Sequence, residues 1–528
     1  METPDDLFQR LDQLNDIGAS LSDERDLKRL LEKIVLAAKQ ITRADGGTLY
    51  LVSDDHRQLC FEIVRTDSLG IAFGGCSDQP VSGKFPDLPL YRENGSANDS
   101  MVAVAAAMTG KTINIADAYV AEGYDFSGTR QFDARTGYRS QSFLTVPMKN
   151  HEGEIIGVLQ LINALDPASG KVAEFSPADQ RLVQSLASQA AVALSNRQLV
   201  QQLEALFESL IKMINLAINE TSPYTGGHCQ RVPELTMMLA EAADACSEGP
   251  LAGFKLTDKD RYELRIAALL HDCGKMTTPQ HIVEKATKLQ TLHDRIDLID
   301  TRFEVIRRDA EVRKWRDIAE GRDPAEAQSE FFEICQKIAA DRSILRQANI
   351  GSEQMADADI AQVRRIAQNY RWRDPNGEEQ PFLTADELEN LTIPSGTLTA
   401  AERDIIKHHI VATIRMLEQL PWPRHLKNVP EYAGGHHERM DGKGYPKGLK
   451  REQMSWQARI MGIADIFEAL TAKDRPYKDG MTLSRALAIL EKLSKNGHID
   501  ADLHAIFVQS EIYRRYAGTF LKAHQIDC

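Results

Sequence analysis

Apolar residues recur at two different spacings along the chain, and these spacings predict helices in some segments and strands in others. Residues 25–42 repeat apolar side chains at helical spacing, at Leu27, Leu30, Leu31, Ile34 and Val35. Two later stretches, 46–64 and 143–164, each read as a pair of strands joined by a polar turn. A helix, strands and a closing helix predict an α+β domain over residues 22–176. A helical segment over residues 1–21 precedes it.

A long helix is predicted over residues 177–220, because no glycine interrupts this stretch. Its apolar residues follow a 4-3-4-3-4 spacing, at Leu199, Leu203, Leu206, Leu210, Met213 and Ala217. This heptad seam favours a two-stranded coiled coil and hence a homodimer. The alternative is a single amphipathic helix that packs on its own domain.

The remainder, residues 221–528, is predicted to be all-α, because its apolar runs follow helical periods. The stretch at about 305–397 differs, since it is polar and rich in charge. We interpret it as a helical insertion with loops rather than as a core.

Composition narrows the classes of function. The chain has 528 residues, 42% of them hydrophobic, and a net charge of -14, which argues against binding a nucleic acid polymer. Seven cysteines without a CxxC pair indicate a reducing compartment. The N-terminus is acidic and polar, and the longest apolar runs are too short for a membrane span. We therefore expect a cytoplasmic protein.

Candidate chemistry begins at His271-Asp272, where an apolar helical run breaks at Gly274. A histidine and a carboxylate there, with Lys275 close by, suit a dinuclear metal site bridged by the aspartate. The alternative is a polar cluster that caps a helix end. A second HD dipeptide, His293-Asp294, lies in a polar stretch and lacks this context.

A second cluster follows at His436-His437-Glu438. Adjacent histidines on a helix point about 100° apart, so they can reach two neighbouring metals or two sides of one. The next residues, 441–446, form a glycine-punctuated turn, with several lysines and arginines nearby. Such a turn suits a phosphate-bearing ligand.

Asp465 stands among apolar neighbours in the sequence MGIADIF. A buried carboxylate costs several kcal/mol unless it is paired or bound to a cation. A metal ligand would explain it, and the alternative is a buried salt bridge to Arg459.

The N-terminal pattern resembles a GAF domain, a small-molecule sensor module, over about residues 22–195. The hairpin VPMKNHEGEIIGVLQLIN, a polar loop and a helix that begins near Ser176 carry this resemblance. Asn163, Phe175 and Asp179 fit the signature of cyclic-nucleotide-binding members. However, Ala164 and Gln180 replace the Lys and Glu of that signature, so its ion pair cannot form. The GAF ligand therefore stays unassigned, and the three matching residues could simply cap and pack the loop.

The C-terminal motifs resemble the HD-GYP family, the branch of the HD metallohydrolases that hydrolyses cyclic dinucleotides. They are TSPYTGGHCQRV, LLHDCGK, KATKL, LTAAERDIIKHHI, HHERMDGKGYPKGL and ADIFEALTAKDRPYK, in family order. The resemblance implies an all-α HD-type metallohydrolase domain after the GAF domain and the connecting helix. It also implies cleavage of cyclic di-GMP to pGpG, or on to GMP.

The family's functional residues carry over one by one. The metal ligands would be His228, His271, Asp272, His409, His436, His437 and Asp465, with Asp272 as the catalytic bridge. The family register selects His409 and leaves His408 in a variable slot. The phosphate-contacting and substrate-binding residues would be Lys275, Arg475 and Lys478.

The implied cofactor is a pair of divalent transition metals, iron or manganese, with zinc compatible with the ligand set. They would activate a water for in-line attack on phosphorus, while Lys275 stabilises charge on the phosphoryl oxygens. Members with three metals place a Glu four residues before the first histidine, but this chain has Tyr224 there. We therefore expect two metals.

Two other functions fit parts of the sequence. One is a catalytically weak scaffold that binds a cyclic dinucleotide or a diguanylate cyclase partner. The complete ligand set favours the enzyme over such a scaffold. The other is a hydrolase whose substrate is a mixed cyclic GMP-AMP.

Overall fold

The structure is a computed structural model that describes residues 4–221, 223–351, 354–472 and 480–528. Within these ranges, side chains are described except at 4–7, 219 and 221–226. The chain divides into two compact units, Met1–Phe207 and Glu208–Cys528. The division falls inside one long helix. Among the described residues, none of the helices combines the length and the apolar character needed to cross a membrane.

The first unit is an α+β domain, as predicted. Its helices are α1 (Pro4–Asp23), α2 (Leu27–Thr42), α3 (Val102–Thr109), α4 (Ser127–Thr136) and the first part of α5 (Pro177–Thr221). Its strands are β1 (Ala44–Val52), β2 (Gln58–Thr66), β3 (Ile71–Phe73), β4 (Leu88–Pro89), β5 (Ile113–Ile115), β6 (Phe143–Lys149), β7 (Ile155–Leu165) and β8 (Val172–Ala173).

The strands form one antiparallel sheet in the order β3-β2-β1-β7-β6-β5, with β4 beside β2 and β8 beside β7. Both predicted hairpins are present, as β1-β2 and β6-β7. The amphipathic face of α2 packs on this sheet together with α1 and α5, and Ile34 and Val35 are fully buried there. The N-terminal helix thus belongs to the core of this domain.

The loop before α5 uses the residues that match the cyclic-nucleotide signature for its own structure. Asn163 accepts hydrogen bonds from the amides of Gln141 and Ser142 through Oδ1. Asp179 accepts a hydrogen bond from the amide of Ser176 at 2.8 Å and forms a buried ion pair with Arg10. These contacts agree with the alternative in which the signature residues cap and pack the loop.

Helix α5 covers the segment for which the heptad spacing predicted a helix. Its seam is exposed to solvent, at Leu199, Leu203, Leu206, Leu210 and Met213. Leu203 and Leu206 are 67% and 66% exposed. Exposed leucines at this density are costly in water unless another surface covers them.

The second unit is helical. Its helices are α6 (Pro223–Asp244), α7 (Asp258–Leu270), α8 (Gln280–Val283), α9 (Ile296–Ala319), α10 (Pro324–Asn349), α11 (Asp357–Asn369), α12 (Ala385–Leu391), α13 (Ala400–Glu418), α14 (Val429–Gly434), α15 (Trp456–Thr471), α16 (Leu483–Lys495), α17 (Ala501–Gln509) and α18 (Ile512–Phe520). One short hairpin, β9 (Arg371–Arg373) and β10 (Glu379–Pro381), interrupts the helices.

The polar stretch at about 305–397 contributes to a core, contrary to the interpretation of its sequence. Leu289, Phe303, Leu345 and Phe382 are almost fully buried in one apolar cluster, to which α9 to α12 and the segments that flank them contribute. This core begins upstream of residue 305. Its helices expose charged faces and bury narrow apolar stripes, which is why the composition concealed the core.

Candidate metal centre

Five parts of the second unit bring the predicted ligands together. Helix α6 carries His228, the end of α7 carries His271 and Asp272, and α13 carries His409. The turn after α14 carries His436 and His437, and α15 carries Asp465. Three overlapping groups have ligand atoms within 4.8 Å of one another: His228, His271 and Asp272; His271, His436 and Asp465; His409, His436 and His437. Helix α14 ends at Gly434, so His436 and His437 lie in a turn. The sequence analysis had considered them on a helix.

The HD turn packs directly on α13. Helix α7 ends at Leu270, and the amide of Gly274 donates to the hydroxyl of Thr413 at 2.9 Å. A side chain at Gly274 would lie 2.0 Å from the carbonyl oxygen of His409, so only glycine fits. This close contact brings Asp272 next to His409.

Three of the imidazoles are oriented in the same way. The Nδ1 atoms of His271, His409 and His436 each face the carbonyl oxygen three residues earlier in the chain. Donation from Nδ1 leaves the lone pair of Nε2 free to point into the cluster. Backbone bonds of this kind are a common way to orient a histidine that binds a metal.

His228 is oriented by a carboxylate instead. Its Nδ1 hydrogen-bonds to Glu468, which also accepts from Nε of Arg231 at 2.6 Å. Glu468 is fully buried. The sequence analysis missed this residue, although it follows Asp465 by three positions in the same apolar helix. That spacing places both carboxylates on one face and could have indicated it.

Asp272 lies between the histidine groups. Its Oδ2 is 3.3 Å from Nε2 of His271 and 2.6 Å from Nζ of Lys275, whereas its Oδ1 is 3.3 Å from Nε2 of His409. Burial would raise the pKa of Asp272, but the charge of Lys275 and the contacts with His271 and His228 outweigh it and hold that pKa well below its usual range. Asp272 is therefore an anion.

Asp465 faces the histidines and not Arg459. Its Oδ1 lies 3.0 Å from Nε2 of His228. Arg459 pairs with Asp500 at 2.7 Å and packs over the ring of Trp456. The buried salt bridge considered as an alternative is therefore absent between these two described residues.

The remaining predicted residues differ in how far the structure describes them. His409 is buried and 2% exposed, whereas the neighbouring His408 is exposed. Arg475 and Lys478 lie outside the described residues, as does the side chain of Tyr224. The second HD dipeptide is structural, because Asp294 accepts hydrogen bonds from the amide of Ile296 at the start of α9, from the hydroxyl of Thr287 and from the side-chain amide of Asn349. Burial raises the pKa of the Cys273 thiol to about 11, as expected for a packing residue.

The chemistry of this cluster fits divalent cations. Among the described side chains, Oδ1 of Asp272 and Nε2 of His409 and His436 are buried without a hydrogen-bond partner. Burial lowers the pKa of His436 well below the usual range and that of His437 to about 4, so both imidazoles are neutral at neutral pH. Neutral imidazoles beside buried carboxylates are the donor set that transition metals prefer. These clusters could therefore bind metal ions.

Comparisons with protein families agree with the two units. A GAF domain model matches residues 26–194, and two HD domain models match residues 225–342 and 344–503. Among solved structures, the GAF domain of a phosphoenolpyruvate-protein phosphotransferase from Coxiella burnetii is 16% identical and covers 37% of this chain and 98% of that chain, with a TM-score of 0.28.

Curated relatives match part of the chain. A 3'3'-cGAMP-specific phosphodiesterase of Vibrio cholerae is 40% identical over 18% of this chain and 20% of its own length. A cyclic di-GMP phosphodiesterase of Pseudomonas aeruginosa is 36% identical over 22% of this chain and 27% of its own length. One from Thermotoga maritima is 34% identical over 24% of this chain and 35% of its own length.

The matched part of this chain thus spans about a third or less of the length of each of these relatives. The family models and the folds of the two units lead to the same assignment. The chain contains a GAF domain followed by an HD domain.

Proposed function

We propose that the HD domain is a metal-dependent phosphodiesterase that hydrolyses cyclic di-GMP to pGpG or GMP. The observation that carries this proposal is the convergence of five imidazoles and two carboxylates, several of them buried and unpaired, in one cluster. The names of the relatives, which are phosphodiesterases for cyclic dinucleotides, support the choice of substrate class.

The described residues suggest how two ions would be held. His409, His436 and His437 would hold one. His228 and His271, whose Nε2 atoms lie 3.0 Å and 3.8 Å from Oδ1 of Asp465, would hold the other together with that carboxylate. Asp272 would serve both through its two oxygens, which face different histidines. We propose iron or manganese, with zinc also compatible with these donors. Such ions lower the pKa of bound water and offset negative charge on a phosphate.

Lys275 has the position of a substrate residue at the edge of this cluster. Its side chain is 24% exposed, while its ammonium pairs with Asp272. Burial would lower the pKa of Lys275, but Asp272 and Asp465 raise it, so the group is a cation at neutral pH. A cation there can stabilise the charge that builds on phosphoryl oxygens during in-line attack. Arg475 and Lys478 remain proposed substrate contacts on the resemblance alone.

A second substrate, mixed cyclic GMP-AMP, is favoured by one specific observation. Two relatives of Vibrio cholerae at 40% identity are named 3'3'-cGAMP-specific phosphodiesterases. The two substrates differ in one base, and the metal cluster would act on the phosphodiester bond of either. The metal ligands therefore do not discriminate between them.

The GAF domain would sense a small ligand and the protein would act as a homodimer. The exposed apolar seam of α5 supports the dimer, because a second copy would cover it. A stiff helix can carry a small rotation or shift from a sensor to an enzyme.

The test is to incubate the metal-loaded protein with each cyclic dinucleotide and to identify the products by chromatography. We expect cyclic di-GMP to yield pGpG or GMP. The Asp272→Ala variant is the matched control for contaminating activity. Faster cleavage of cyclic GMP-AMP would favour the second substrate, and cleavage of neither would refute the proposed activity.

A further inference from the structure

His437 is oriented differently from the other histidines of the cluster. Its neighbour His436 hydrogen-bonds through Nδ1 to the carbonyl oxygen of Ala433 at 2.6 Å. Among the described residues, no carbonyl oxygen accepts from His437, and its Nδ1 is 3.9 Å from Oδ2 of Asp465. That distance is too long for a hydrogen bond. The His437 ring instead contacts three other rings, those of His436 at 4.1 Å, Tyr445 at 4.8 Å and His409 at 5.2 Å between centroids.

Of these three rings, only that of Tyr445 does not belong to a predicted metal ligand. Its ring lies against the His437 ring, with centroids 4.8 Å apart and an angle of 28° between the planes. The backbone amide of Tyr445 also donates to the carbonyl oxygen of His437 at 3.3 Å. The aromatic contact and the backbone bond join the same two residues, so the tyrosine restricts both the ring and the main chain of His437.

Glu438 holds Tyr445 in this position by closing the loop that contains it. One carboxylate oxygen of Glu438 accepts from the amide of Lys447 at 2.7 Å, and the other accepts from the amide of Leu449 at 2.8 Å. Glu438 is 4% exposed. A buried carboxylate that accepts two amide bonds is a strong constraint on a loop. The loop of residues 438–449 is thus pinned at both of its ends.

Gly444 lets the same loop fold back on itself. A side chain at this position would lie 2.4 Å from the amide nitrogen of Arg439 and 2.5 Å from Cα of Glu438. Glycine is required for so close an approach. Gly444 and Glu438 therefore both stabilise the loop conformation that places the Tyr445 ring against His437.

We propose that Tyr445 is a positioning residue that holds His437 in the orientation for binding a metal, with Glu438 pinning the loop that carries it. This inference rests on the proposed metal-dependent function. It gives the glycine-punctuated turn a role in orienting a metal-binding histidine. The sequence analysis instead considered that turn a site for a phosphate-bearing ligand. The need arises because no carbonyl oxygen of the described residues accepts from His437, whereas that of Ala433 lies 2.6 Å from Nδ1 of His436.

The test compares Mn²⁺ binding to the wild-type protein, Tyr445→Leu and Tyr445→Phe by equilibrium dialysis. The leucine variant removes the ring, and we expect the affinity for one ion to fall about 10- to 100-fold, as for other residues that orient ligands. The phenylalanine variant keeps the ring and should retain wild-type affinity. Glu438→Gln should lower the affinity in the same direction, and it keeps the proposal testable if the leucine variant does not fold.

A double-mutant cycle with His437→Ala separates positioning from a general structural effect. If Tyr445 acts through His437, Tyr445→Leu should cause little further loss of Mn²⁺ affinity in the His437→Ala background. Additive losses, wild-type affinity in Tyr445→Leu, or an equal loss in Tyr445→Phe would each overturn the inference. Wild-type protein that binds no Mn²⁺, Fe²⁺ or Zn²⁺ would instead refute the proposed metal-dependent function.

Discussion

Nε2 of His228 lies 3.3 Å from Nε2 of His271 in the interior of the HD domain. The Nδ1 of His228 is engaged by Glu468 and that of His271 by the carbonyl oxygen of Ala268. Two imidazole lone pairs that face each other repel unless a proton or a cation lies between them. Burial opposes protonation of His228, but the carboxylates of Asp272, Asp465 and Glu468 raise its pKa well above the usual range. The carboxylates around these two imidazoles therefore favour a positive charge between them.

Removal of the proposed bridge should abolish metal binding and activity together. We predict that Asp272→Ala lowers hydrolysis by at least about 100-fold and releases most bound metal, because its two oxygens face both histidine groups. Metal content and turnover are measured on the same preparation. The control is His293→Ala in the second, structural HD dipeptide, where the side chain is exposed. Near-normal turnover in Asp272→Ala would sink the metal-dependent mechanism.

Of the adjacent histidines on α13, only His409 should bind metal. It is buried against Asp272, whereas His408 is exposed. We predict that His409→Ala lowers metal affinity at least about tenfold and that His408→Ala leaves it unchanged. Metal content of the two variants, measured in parallel, checks the register. Equal losses, or a larger loss for His408→Ala, would show that the assignment is wrong.

Two metals, not three, should bind per chain. Tyr224 stands where a glutamate ligand would serve a third ion, and a phenol with a pKa near 10 is a poor ligand at neutral pH. Glu468 hydrogen-bonds to Nδ1 of His228, which leaves Nε2 as its ligand atom. Elemental analysis after chelation and reloading should give about two ions, and activity should return with them. A crystal structure with three well-occupied metals would contradict this prediction.

The exposed seam of α5 should dimerise the protein. In a two-stranded coil, Leu203 and Leu210 would occupy core positions on each helix. Replacement of both by Glu would bury like charges across the two-fold axis at a cost on the order of 3 kcal/mol. We predict a monomer with unchanged metal content and no response of hydrolysis to GAF occupancy. Light scattering measures the mass.

The matched control for this prediction is Gln201→Glu, which places a charge on the outer face of the same helix. It should remain a dimer. Wild-type protein that is monomeric at micromolar concentration would rule out the coil.

The sequence by itself determined the two long hairpins, helix α5 and the identity of the candidate ligands. Apolar spacing was sufficient for β1-β2, β6-β7 and α5, because the period of the apolar residues is a property of the local sequence. The motif register also pointed to His409 over His408. Only the buried one of the pair lies beside Asp272.

The tertiary structure decided the contacts that depend on residues far apart in the chain. The bond between Glu468 and His228 joins positions 240 residues apart, and the stack of Tyr445 on His437 depends on how a loop folds back. Arg459 is close to Asp465 in the sequence, but in the structure it forms an ion pair with Asp500, which comes from another part of the chain. The stretch at about 305–397 likewise contributes to a core that its polar composition concealed. Periodicity reports which face of an element is buried, whereas the partner of a buried polar group is fixed only when separate elements pack together.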